Sequence, residues 1–440
     1  MAGRLFFCGI GGSGMLPLAL IAQGQGAQVS GSDRARDQGR TPEKFRYLEE
    51  RHMSLFPQDG SGVRAGAERV VVSTAVEESI PDIRAARDLG VPVVHRSALL
   101  AEMFNEADRR VAIAGTSGKT TTTGMLGFIL REAGMDPTVM NGGVFRNYAQ
   151  DDPYCSALVG SGHLFVAEAD ESDGSIARYN PTIAVLNNIA LDHKPLAELV
   201  PLFRDYLAKA DKVVLNYDSD AVRELAAGIA PEKIISYAMG GEADITAENT
   251  AIELQVPGQY NVANALAAIG AAAALGIDKQ KSADILQGFT GIKRRMETIG
   301  MKGGVTVIDD FAHNPDKIAA SLAALREREG RLFVFFQPHG YGFLTLLKDE
   351  LAACFSQGLR SSDYLWLTEP YYAGGTVDRS VGSGDVAQAI SGPHASVAAN
   401  RETVKMEMLA QVHAGDRIVV MGARDDTLAE FAREIYRDLP

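Results

Sequence analysis

The stretch RRVAIAGTSGKTTTTG, Arg109–Gly124, decides the fold prediction for the chain around it. Its apolar run Val111–Ala114 predicts a buried strand, and the glycines that follow predict a tight turn opening into a helix. Glycine lets backbone N–H groups approach an anion closely, and the first turn of a helix adds partial positive charge. The order of strand, glycine-rich turn and lysine therefore predicts a loop that binds phosphate groups.

This predicted loop supplies the side chains that phosphate binding requires. We expect Lys119 to reach the terminal phosphates and the hydroxyl of Thr120 to hold Mg²⁺. The match to the usual GxxxxGK[ST] spacing is incomplete, because Ile113 occupies the position of the first glycine. An ordinary glycine turn capped by Thr120 is the alternative interpretation.

Composition narrows the class of protein. The chain has 440 residues, 46% hydrophobic and 22% charged, which is ordinary for a globular protein of two or three domains. A net charge of −13 without a Lys/Arg-rich run argues against nucleic-acid binding. The three cysteines are too scattered for a disulfide framework or a zinc site. No segment resembles a signal peptide or a membrane span, so we expect a cytoplasmic protein.

A second glycine-rich turn lies near the N-terminus. The predicted strand Arg4–Cys8 runs into GIGGSGM, 9–15, and a further strand over Gln28–Ser30 is followed by Asp33. This order is typical of the start of a dinucleotide-binding domain, in which the acid holds a ribose hydroxyl. The last glycine arrives one residue early, and a purely structural turn is the alternative.

Two further predicted strands end in polar residues, Ser73-Thr74 and His95-Arg96. The carboxyl ends of parallel strands meet at one edge of a sheet, which is where open α/β sheets bind ligands. His95 and Arg96 are therefore candidates for contacts to a phosphate. A solvated strand end is an equally good interpretation.

Carboxylates crowd the end of the next predicted strand, where EADESD, 168–173, follows Leu164–Ala167. Their mutual repulsion is best relieved by a divalent cation. The following strand, Ile183–Leu186, leads to Asp192 and His193. Oxygen ligands with one histidine suit Mg²⁺ or Mn²⁺ beside nucleotide phosphates. A solvated loop and a structural histidine are the alternatives.

Two polar features surround the end of this region. Asn261 and Asn264 share one face of a predicted helix and could contact adenine, with N-capping as the alternative for Asn261. The basic segment GIKRRME, 291–297, places Arg294 and Arg295 where they could neutralise phosphates.

The last third of the chain repeats the alternation of strands and helices. Strands are predicted over Val305–Ile308, Leu332–Phe336, Tyr364–Leu367 and Arg417–Met421, with helices between them such as Lys317–Arg326. This alternation predicts another doubly wound sheet. We expect hinges near Asn105–Arg109 and Thr298–Gly304.

These motifs, in this order, resemble the Mur ligase family. The motifs cover nearly the whole chain: GIGGSGM (9–15), GSD (31–33), AGTSGKTTTT (114–123), NGG (141–143), EADESD (168–173), NNIALDH (187–193), PGQYNVANALAAI (257–269), KRRME (293–297), DDFAHNP (309–315) and FQPH (336–339). The resemblance implies an α/β protein of three domains. These would be an N-terminal Rossmann-like domain that binds a UDP-sugar (1–106), a central P-loop ATPase-type domain (107–297) and a C-terminal Rossmann-like ligase domain (298–440).

The resemblance also implies roles for individual residues. Lys119 would hold the ATP phosphates, Thr120 one Mg²⁺, and Glu168 with His193 a second Mg²⁺. The other residues of the ATP site would be Gly115, Thr116, Ser117, Gly118, Thr121, Asn264 at the adenine, Arg295 at the phosphates and Asp310 at the ribose. His313 would lie near the incoming amino acid. The UDP-sugar would be bound by Gly11, Gly12, Ser13, Gly14, Met15, Asp33, Ser73, Thr74, His95 and Arg96.

The reaction implied by the resemblance is ATP-dependent amide formation in peptidoglycan synthesis. The carboxylate of UDP-N-acetylmuramate would attack ATP to give an acyl phosphate, which an amine then displaces. The motifs are most like those of the branch that adds L-alanine, but Ser117, Asn314 and Gly340 replace a His, a His and an Arg of that branch. A recycling ligase that adds a peptide is therefore the alternative within the family. An NAD-dependent oxidoreductase and a catalytically silent nucleotide-binding regulator are the alternatives outside this activity.

Overall fold

The computed structural model describes residues 3–73, 76–172, 174–189, 196–371, 379–423, 425 and 427–440. The chain divides into two compact units, Met1–Gln255 with Val262–Thr290 and Val256–Asn261 with Gly291–Pro440. The described residues form three sheets, two in the first unit and one in the second. Strands and helices alternate in each sheet, as the sequence predicted.

The first sheet of the first unit is parallel throughout. Its strands are β1 (Arg4–Cys8), β2 (Gln28–Ser32), β3 (Ser54–Phe56), β4 (Arg69–Val72) and β5 (Val93–His95), in the order β3-β2-β1-β4-β5. Its helices are α1 (Met15–Gly24), α2 (Arg34–Asp37), α3 (Pro42–Glu50), α4 (Ser61–Arg64), α5 (Pro81–Asp88) and α6 (Arg96–Asn105). The strand order reverses between β1 and β4, so the loops after these two strands border a crevice suited to a ligand.

The second sheet of the first unit contains the phosphate loop. Its strands are β6 (Arg109–Ala114), β7 (Thr138–Met140), β8 (Ala157–Leu158), β9 (Leu164–Glu168), β10 (Ile183–Leu186), β11 (Lys212–Asn216), β12 (Ile234–Ala238) and β13 (Ile245–Thr246). The order is β13-β12-β11-β10-β6-β9-β7-β8, and only the β7–β8 pair of the described strands is antiparallel in this sheet. The helices are α7 (Lys119–Glu132), α8 (Leu196–Ala208), α9 (Asp220–Ala226), α10 (Gln259–Ala274) and α11 (Lys279–Leu286).

A shared hydrophobic core holds these two sheets in one unit. Buried side chains of both sheets belong to the same cluster, from Leu5 in β1 to Leu215 in β11. In α6, Phe104 packs edge-on against Phe165 of β9 and against Tyr179, with ring centroids 5.7 and 5.0 Å apart. Aromatic pairs of this geometry add to the free energy gained by burial alone. The loops at the carboxyl ends of both sheets are therefore carried on a common core.

The second unit contains a sheet with helices on both faces. Its strands are β14 (Glu297–Lys302), β15 (Val305–Asp310), β16 (Leu332–Gln337), β17 (Tyr364–Leu367), β18 (His394–Val397) and β19 (Arg417–Gly422), in the order β14-β15-β19-β16-β17-β18. Its helices are α12 (Pro315–Arg326), α13 (Tyr341–Gly358), α14 (Ser383–Ala389), α15 (Arg401–Leu409) and α16 (Leu428–Asp438). Separate hydrophobic clusters cover the two faces of this sheet.

The prediction of a hinge near Thr298–Gly304 is wrong. Most of this segment is strand β14, which pairs antiparallel with β15. Lys302 faces Val305, so Gly303 and Gly304 form a two-residue hairpin turn, with φ of +58° and +78°. Positive φ at both positions is the requirement of a type I′ turn, and glycine meets it without strain. The adjacent glycines therefore mark a hairpin inside the second unit.

Among the described residues, no helix is both long enough and apolar enough to cross a membrane.

The hairpin turn yields a stability prediction. Gly304→Ala should lower the free energy of unfolding by about 1–3 kcal/mol, because a side chain is strained at this φ and its Cβ would lie 2.8 Å from that of Ala414. Denaturation followed by the fluorescence of Trp366, the single tryptophan, reports on this unit. Gly384→Ala, in α14, is the control. Its Cβ would meet no described atom within 4 Å, and the change should be neutral or stabilising by up to about 1 kcal/mol. Equal effects of the two substitutions would contradict the assignment of the turn.

Candidate active site

The phosphate loop has the geometry that the sequence predicted. Strand β6 ends at Ala114, the turn Gly115–Gly118 follows, and α7 begins at Lys119. Gly115 and Gly118 have φ of +130° and +85°, and a Cβ on Gly118 would lie 2.4 Å from Oδ1 of Asn264. Glycine is therefore required at Gly118 both by the backbone conformation and by the close approach of a neighbour.

Asn188 holds this loop, and the sequence analysis gave it no role. Its Oδ1 accepts from the Ser117 amide at 2.8 Å, its Nδ2 donates to the Ser117 carbonyl at 3.2 Å, and its own carbonyl accepts from the Thr116 amide at 3.2 Å. Strand β10 pairs with β6, which brings Asn188 beside the loop. The sequence signal for this role was the polar pair Asn187-Asn188, which directly follows a buried strand. The neighbouring Asn187 donates from Nδ2 to Oγ1 of Thr122 at 3.0 Å.

The side chains predicted to act on the phosphates meet at the end of β9. Nζ of Lys119 donates to the carbonyl of Gly115 and to Oε2 of Glu171, each at 2.7 Å. Oγ1 of Thr120 donates to Oε2 of Glu168 at 3.1 Å. Burial disfavours the charged ammonium, but the nearby carboxylates, Glu171 foremost, outweigh it and raise the pKa of Lys119. Lys119 therefore stays charged in the site.

The structure orients Glu168 through both of its oxygens. Oε1 accepts from the amide of Gly142 at 2.6 Å, and Oε2 accepts from Thr120. Two neighbouring ligands of an octahedral Mg²⁺ lie about 2.9 Å apart, so the 3.1 Å separation of the Thr120 and Glu168 oxygens fits one ion. His193 lies outside the described residues. Within the described ranges, no group of three or more His, Cys, Asp or Glu side chains is placed to hold a metal.

Asn264 lies against the phosphate loop. Its Oδ1 accepts from Oγ1 of Thr122 at 3.3 Å, and the side chain is buried. Asn261 belongs to the second unit and donates from Nδ2 to the carbonyl of Pro257 at 2.6 Å, within the turn that starts α10. Both residues lie in α10, three positions apart as the sequence predicted, and each side chain makes a different hydrogen bond.

The N-terminal glycine turn is held by the acid that the sequence singled out. Oδ2 of Asp33 accepts from the Gly11 amide at 2.8 Å, and Oδ1 accepts from the Ala35 amide at 2.8 Å to cap α2. Asp33 thus shapes the turn through its carboxylate. A Cβ on Gly14 would lie 2.7 Å from Nη1 of Arg96, so Arg96 reaches the turn.

The remaining residues predicted for the sugar nucleotide lie around the same edge. Ser73 follows β4, across the point where the strand order reverses, and Met15 is buried at the start of α1. His95 caps α6, with Nδ1 accepting from the Ser97 amide at 3.3 Å. Thr74 lies outside the described residues. The exposed parts of this edge are Gly12 and Ser13.

In the second unit, the two arginines of the basic segment have different environments. Arg294 donates to the carbonyl of Gly422 at 2.8 Å and lies 3.4 Å from the carboxylate of Asp309, so its guanidinium serves the fold. Arg295 lies over the ring of Phe311 at 4.8 Å and is half-buried. Arg294 also lies over this ring, at 5.0 Å. We keep Arg295 as the candidate for a phosphate, because Arg294 is already engaged by Asp309 and Gly422.

Asp310 is buried inside the second unit. Its carboxylate accepts from the Met296 amide at 3.1 Å and from the hydroxyl of Ser321. Burial raises the pKa of Asp310 against the effect of these bonds. Its neighbour Asn314, one of the departures from the family pattern, caps α12 by accepting from the Lys317 amide at 3.0 Å.

His313 lies beside a second histidine. Its Nδ1 is 2.9 Å from the Phe311 carbonyl, so Nδ1 carries the hydrogen and Nε2 the lone pair. The ring packs edge-on against His339 at 4.9 Å between centroids. Burial, with a contribution from Lys317, lowers the pKa of His313 well below 6.5. His313 is therefore neutral at physiological pH, and its Nε2 can accept a hydrogen bond.

The first unit combines a phosphate loop, a charged lysine and an oriented Thr–Glu pair on linked α/β sheets. These features define an ATP-dependent enzyme of the phosphate-loop class. Mur ligase profiles match three segments: the family's catalytic domain over residues 4–107, its middle domain over 113–272 and its glutamate ligase domain over 294–424. The chain belongs to the Mur ligase family and is an ATP-dependent ligase. This assignment displaces the oxidoreductase and the catalytically silent regulator, and it confirms the three-domain α/β fold.

Individual relatives cover nearly the same length. UDP-N-acetylmuramate–L-alanine ligase of Microcystis aeruginosa is 34% identical, over 95% of this chain and 92% of that protein. The crystal structure of UDP-N-acetylmuramate–alanine ligase from Thermotoga maritima has a TM-score of 0.76 at 23% identity, covering 99% and 98% of the two chains. The UDP-N-acetylmuramate:L-alanyl-γ-D-glutamyl-meso-diaminopimelate ligase of Neisseria meningitides has a TM-score of 0.57 at 26% identity, covering 67% of this chain and 100% of that one.

The hold of Asn188 on the phosphate loop yields a prediction. Asn188→Ala should weaken binding of Mg²⁺-ATP by about tenfold, because it removes two hydrogen bonds that shape the loop. Calorimetric titration measures the change. Asn147→Ala is the matched control, since Asn147 also bonds two backbone groups, the Gly288 carbonyl at 2.7 Å and the Thr290 amide at 2.9 Å. A loss of affinity as large in Asn147→Ala would show that general loosening, and not loop shape, is responsible.

Asp309 yields a prediction on pH. Burial raises its pKa from 3.8 to about 7, although Arg294 opposes the change. The folded state therefore binds more protons than the unfolded state between these values, and the free energy of unfolding falls as the pH rises towards 7. Relative to Asp309→Asn, the wild type should lose up to about 1.4 kcal/mol for each pH unit between pH 5 and 7.

Denaturation at pH 5, 6 and 7, followed by Trp366 fluorescence, measures this difference. The exposed carboxylate of the same unit, Asp349, provides the control variant Asp349→Asn. A constant stability difference between wild type and Asp309→Asn at all three pH values would place the titration elsewhere.

Proposed function

We propose that this chain joins L-alanine to UDP-N-acetylmuramate in the cytoplasm, as a step of peptidoglycan synthesis. The proposal assigns the sugar nucleotide to residues 1–106, ATP to 107–297 and the amino acid to 298–440. Relatives named for this reaction, 34% identical over 95% of the chain, support the choice of substrates. The observation that carries the activity is the convergence of Lys119, Thr120 and Glu168 at one turn.

The proposed chemistry explains why this convergence is needed. A substrate carboxylate and a triphosphate repel each other, so positive charge must bring them together before a phosphoryl group can move. Lys119 supplies a fixed ammonium, and Thr120 and Glu168 supply oxygen ligands for Mg²⁺. We assign a second ion to Glu168 and His193, as the resemblance implies. Bound Mg²⁺ would neutralise the phosphates and leave the rest of catalysis to positioning.

The proposed roles of the remaining residues are those that the family resemblance implies. We assign the ATP phosphates to Arg295, the adenine to Asn264 and the ribose to Asp310. We place the amine of the incoming amino acid near His313, whose neutral ring carries a lone pair on Nε2. This lone pair could accept a hydrogen bond from the amine and so orient it.

A ligase that adds a peptide is the second candidate. The Neisseria meningitides relative, 26% identical, is named for such an acceptor. Gly340, Tyr341 and Gly342 follow His339, and a Cβ on Gly342 would meet none of the described atoms within 4 Å. Gly342 is exposed, so a larger incoming group than alanine would meet no side chain at this position. The choice between the two acceptors therefore depends on measurement of turnover.

The ligase proposal predicts that phosphate release requires four components together: Mg²⁺, ATP, UDP-N-acetylmuramate and an amino compound. Lys119→Ala should abolish release, because the γ-phosphate loses its fixed cation, while binding of UDP-N-acetylmuramate persists. Lys281→Ala, at an exposed lysine of α11, is the control. ATP hydrolysis at the same rate with and without the sugar nucleotide would refute the proposal.

The same assay distinguishes the two candidate acceptors. L-alanine should support faster phosphate release than other amino acids and a tripeptide, and a preference for the tripeptide would select the second candidate.

A further inference from the structure

The ammonium of Lys119 is held from two sides by the protein itself. The Gly115 carbonyl lies at the start of the phosphate loop, and the carboxylate of Glu171 lies in the loop after β9; each accepts a hydrogen bond of 2.7 Å from Nζ. The Lys119 side chain is 15% exposed and that of Glu171 is 6% exposed. Strands β6 and β9 are neighbours, so this ion pair joins the ends of two adjacent strands.

The protein engages two of the three N–H donors of Lys119, which fixes the direction in which the third one points. A lysine ammonium has three N–H donors on a stem with four rotatable bonds, so without fixed acceptors its head group samples many positions. Gly115 and Glu171 engage two donors and fix the head group beside the turn. Oδ1 of Asp170 lies farther away, 4.0 Å from Nζ. We therefore assign the third donor to a phosphate oxygen.

We propose that Glu171 is a positioning residue that holds Lys119 for the ATP phosphates. This inference rests on the proposed ATP site and separates Glu171 from Glu168, whose oxygens face Thr120 and the Gly142 amide. The two glutamates of EADESD therefore divide two tasks between them. Glu168 is directed towards the metal, and Glu171 is directed towards the lysine.

Glu171 could instead compete with the ATP phosphates for Lys119, and its burial argues against this. If the nucleotide drew Lys119 away, a carboxylate with little access to water would lose its cation, which is strongly unfavourable. Keeping the pair intact while the third N–H binds phosphate avoids this cost. Glu171 should therefore assist nucleotide binding and not oppose it.

The first experiment measures binding of the Mg²⁺ complex of a non-hydrolysable ATP analogue by calorimetry. Glu171→Ala should raise the dissociation constant about tenfold, since a hydrogen bond to a charged group is lost. Glu171→Gln should show a smaller increase, because its amide oxygen can still accept from Lys119. Glu132→Gln, at the other end of α7, makes the same chemical change away from the loop and is the control. Tighter binding by Glu171→Gln would show competition and overturn the proposal.

A double-mutant cycle separates positioning from a general structural effect. In a Lys119→Met background, Glu171→Ala should no longer change the dissociation constant, because there is no ammonium to position. Additive effects of the two substitutions would overturn the proposal. If the wild type binds the analogue and the Glu171 variants bind equally well, the role of Glu171 fails alone. If the wild type does not bind it, the proposed function fails as well.

Discussion

The pairing of the Asn188 side chain with the backbone of Ser117 is the interaction on which the candidate active site depends. The turn Gly115–Gly118 is neither helix nor sheet, so the N–H and C=O groups of its residues do not all find partners within it. The loop therefore needs an outside support. An amide side chain is suited to this task because it offers a donor and an acceptor, matching the N–H and C=O of one residue.

The same arrangement recurs in the N-terminal sheet with different chemistry. There the turn after β1 is held by Asp33, which follows the adjacent strand β2, just as the turn after β6 is held by Asn188, which follows the adjacent strand β10. In both sheets the side chain that shapes a glycine-rich turn comes from the end of a neighbouring parallel strand. Parallel register explains this, since it brings the ends of successive strands to the same edge.

Much of the fold was predictable from the sequence because its signals are local. Apolar runs such as Val111–Ala114 lie within buried strands, and the glycines after them form the predicted turns. The segment Thr298–Gly304 was misinterpreted because adjacent glycines permit the backbone conformations of both a hinge and a hairpin turn. Only the pairing of β14 with β15, a contact between strands, distinguishes the two.

The site was less predictable, because its details depend on the directions of side chains. Arg294 and Arg295 are adjacent and chemically identical, and both lie over the ring of Phe311. Arg294, at a φ of +60°, also donates to the carbonyl of Gly422. Likewise, EADESD contains four acids in six residues, and composition does not show which of them meets Lys119. The turn after β9, in which the Asp170 carbonyl accepts from the Ile176 amide, places Glu171 at the lysine.

The balance of charge around Lys119 also explains how an acidic protein can act on anions. Three carboxylates, from Glu168, Asp170 and Glu171, surround one ammonium, so the site by itself is poorly suited to a bare triphosphate. In the proposed ATP site, a divalent cation carried by the nucleotide would reverse this balance, with the carboxylate of Glu168 as one of the groups that would hold it. The same acids would disfavour a free anion and favour the metal complex of ATP. The negative net charge of the chain is therefore compatible with a site in which two anionic substrates must meet.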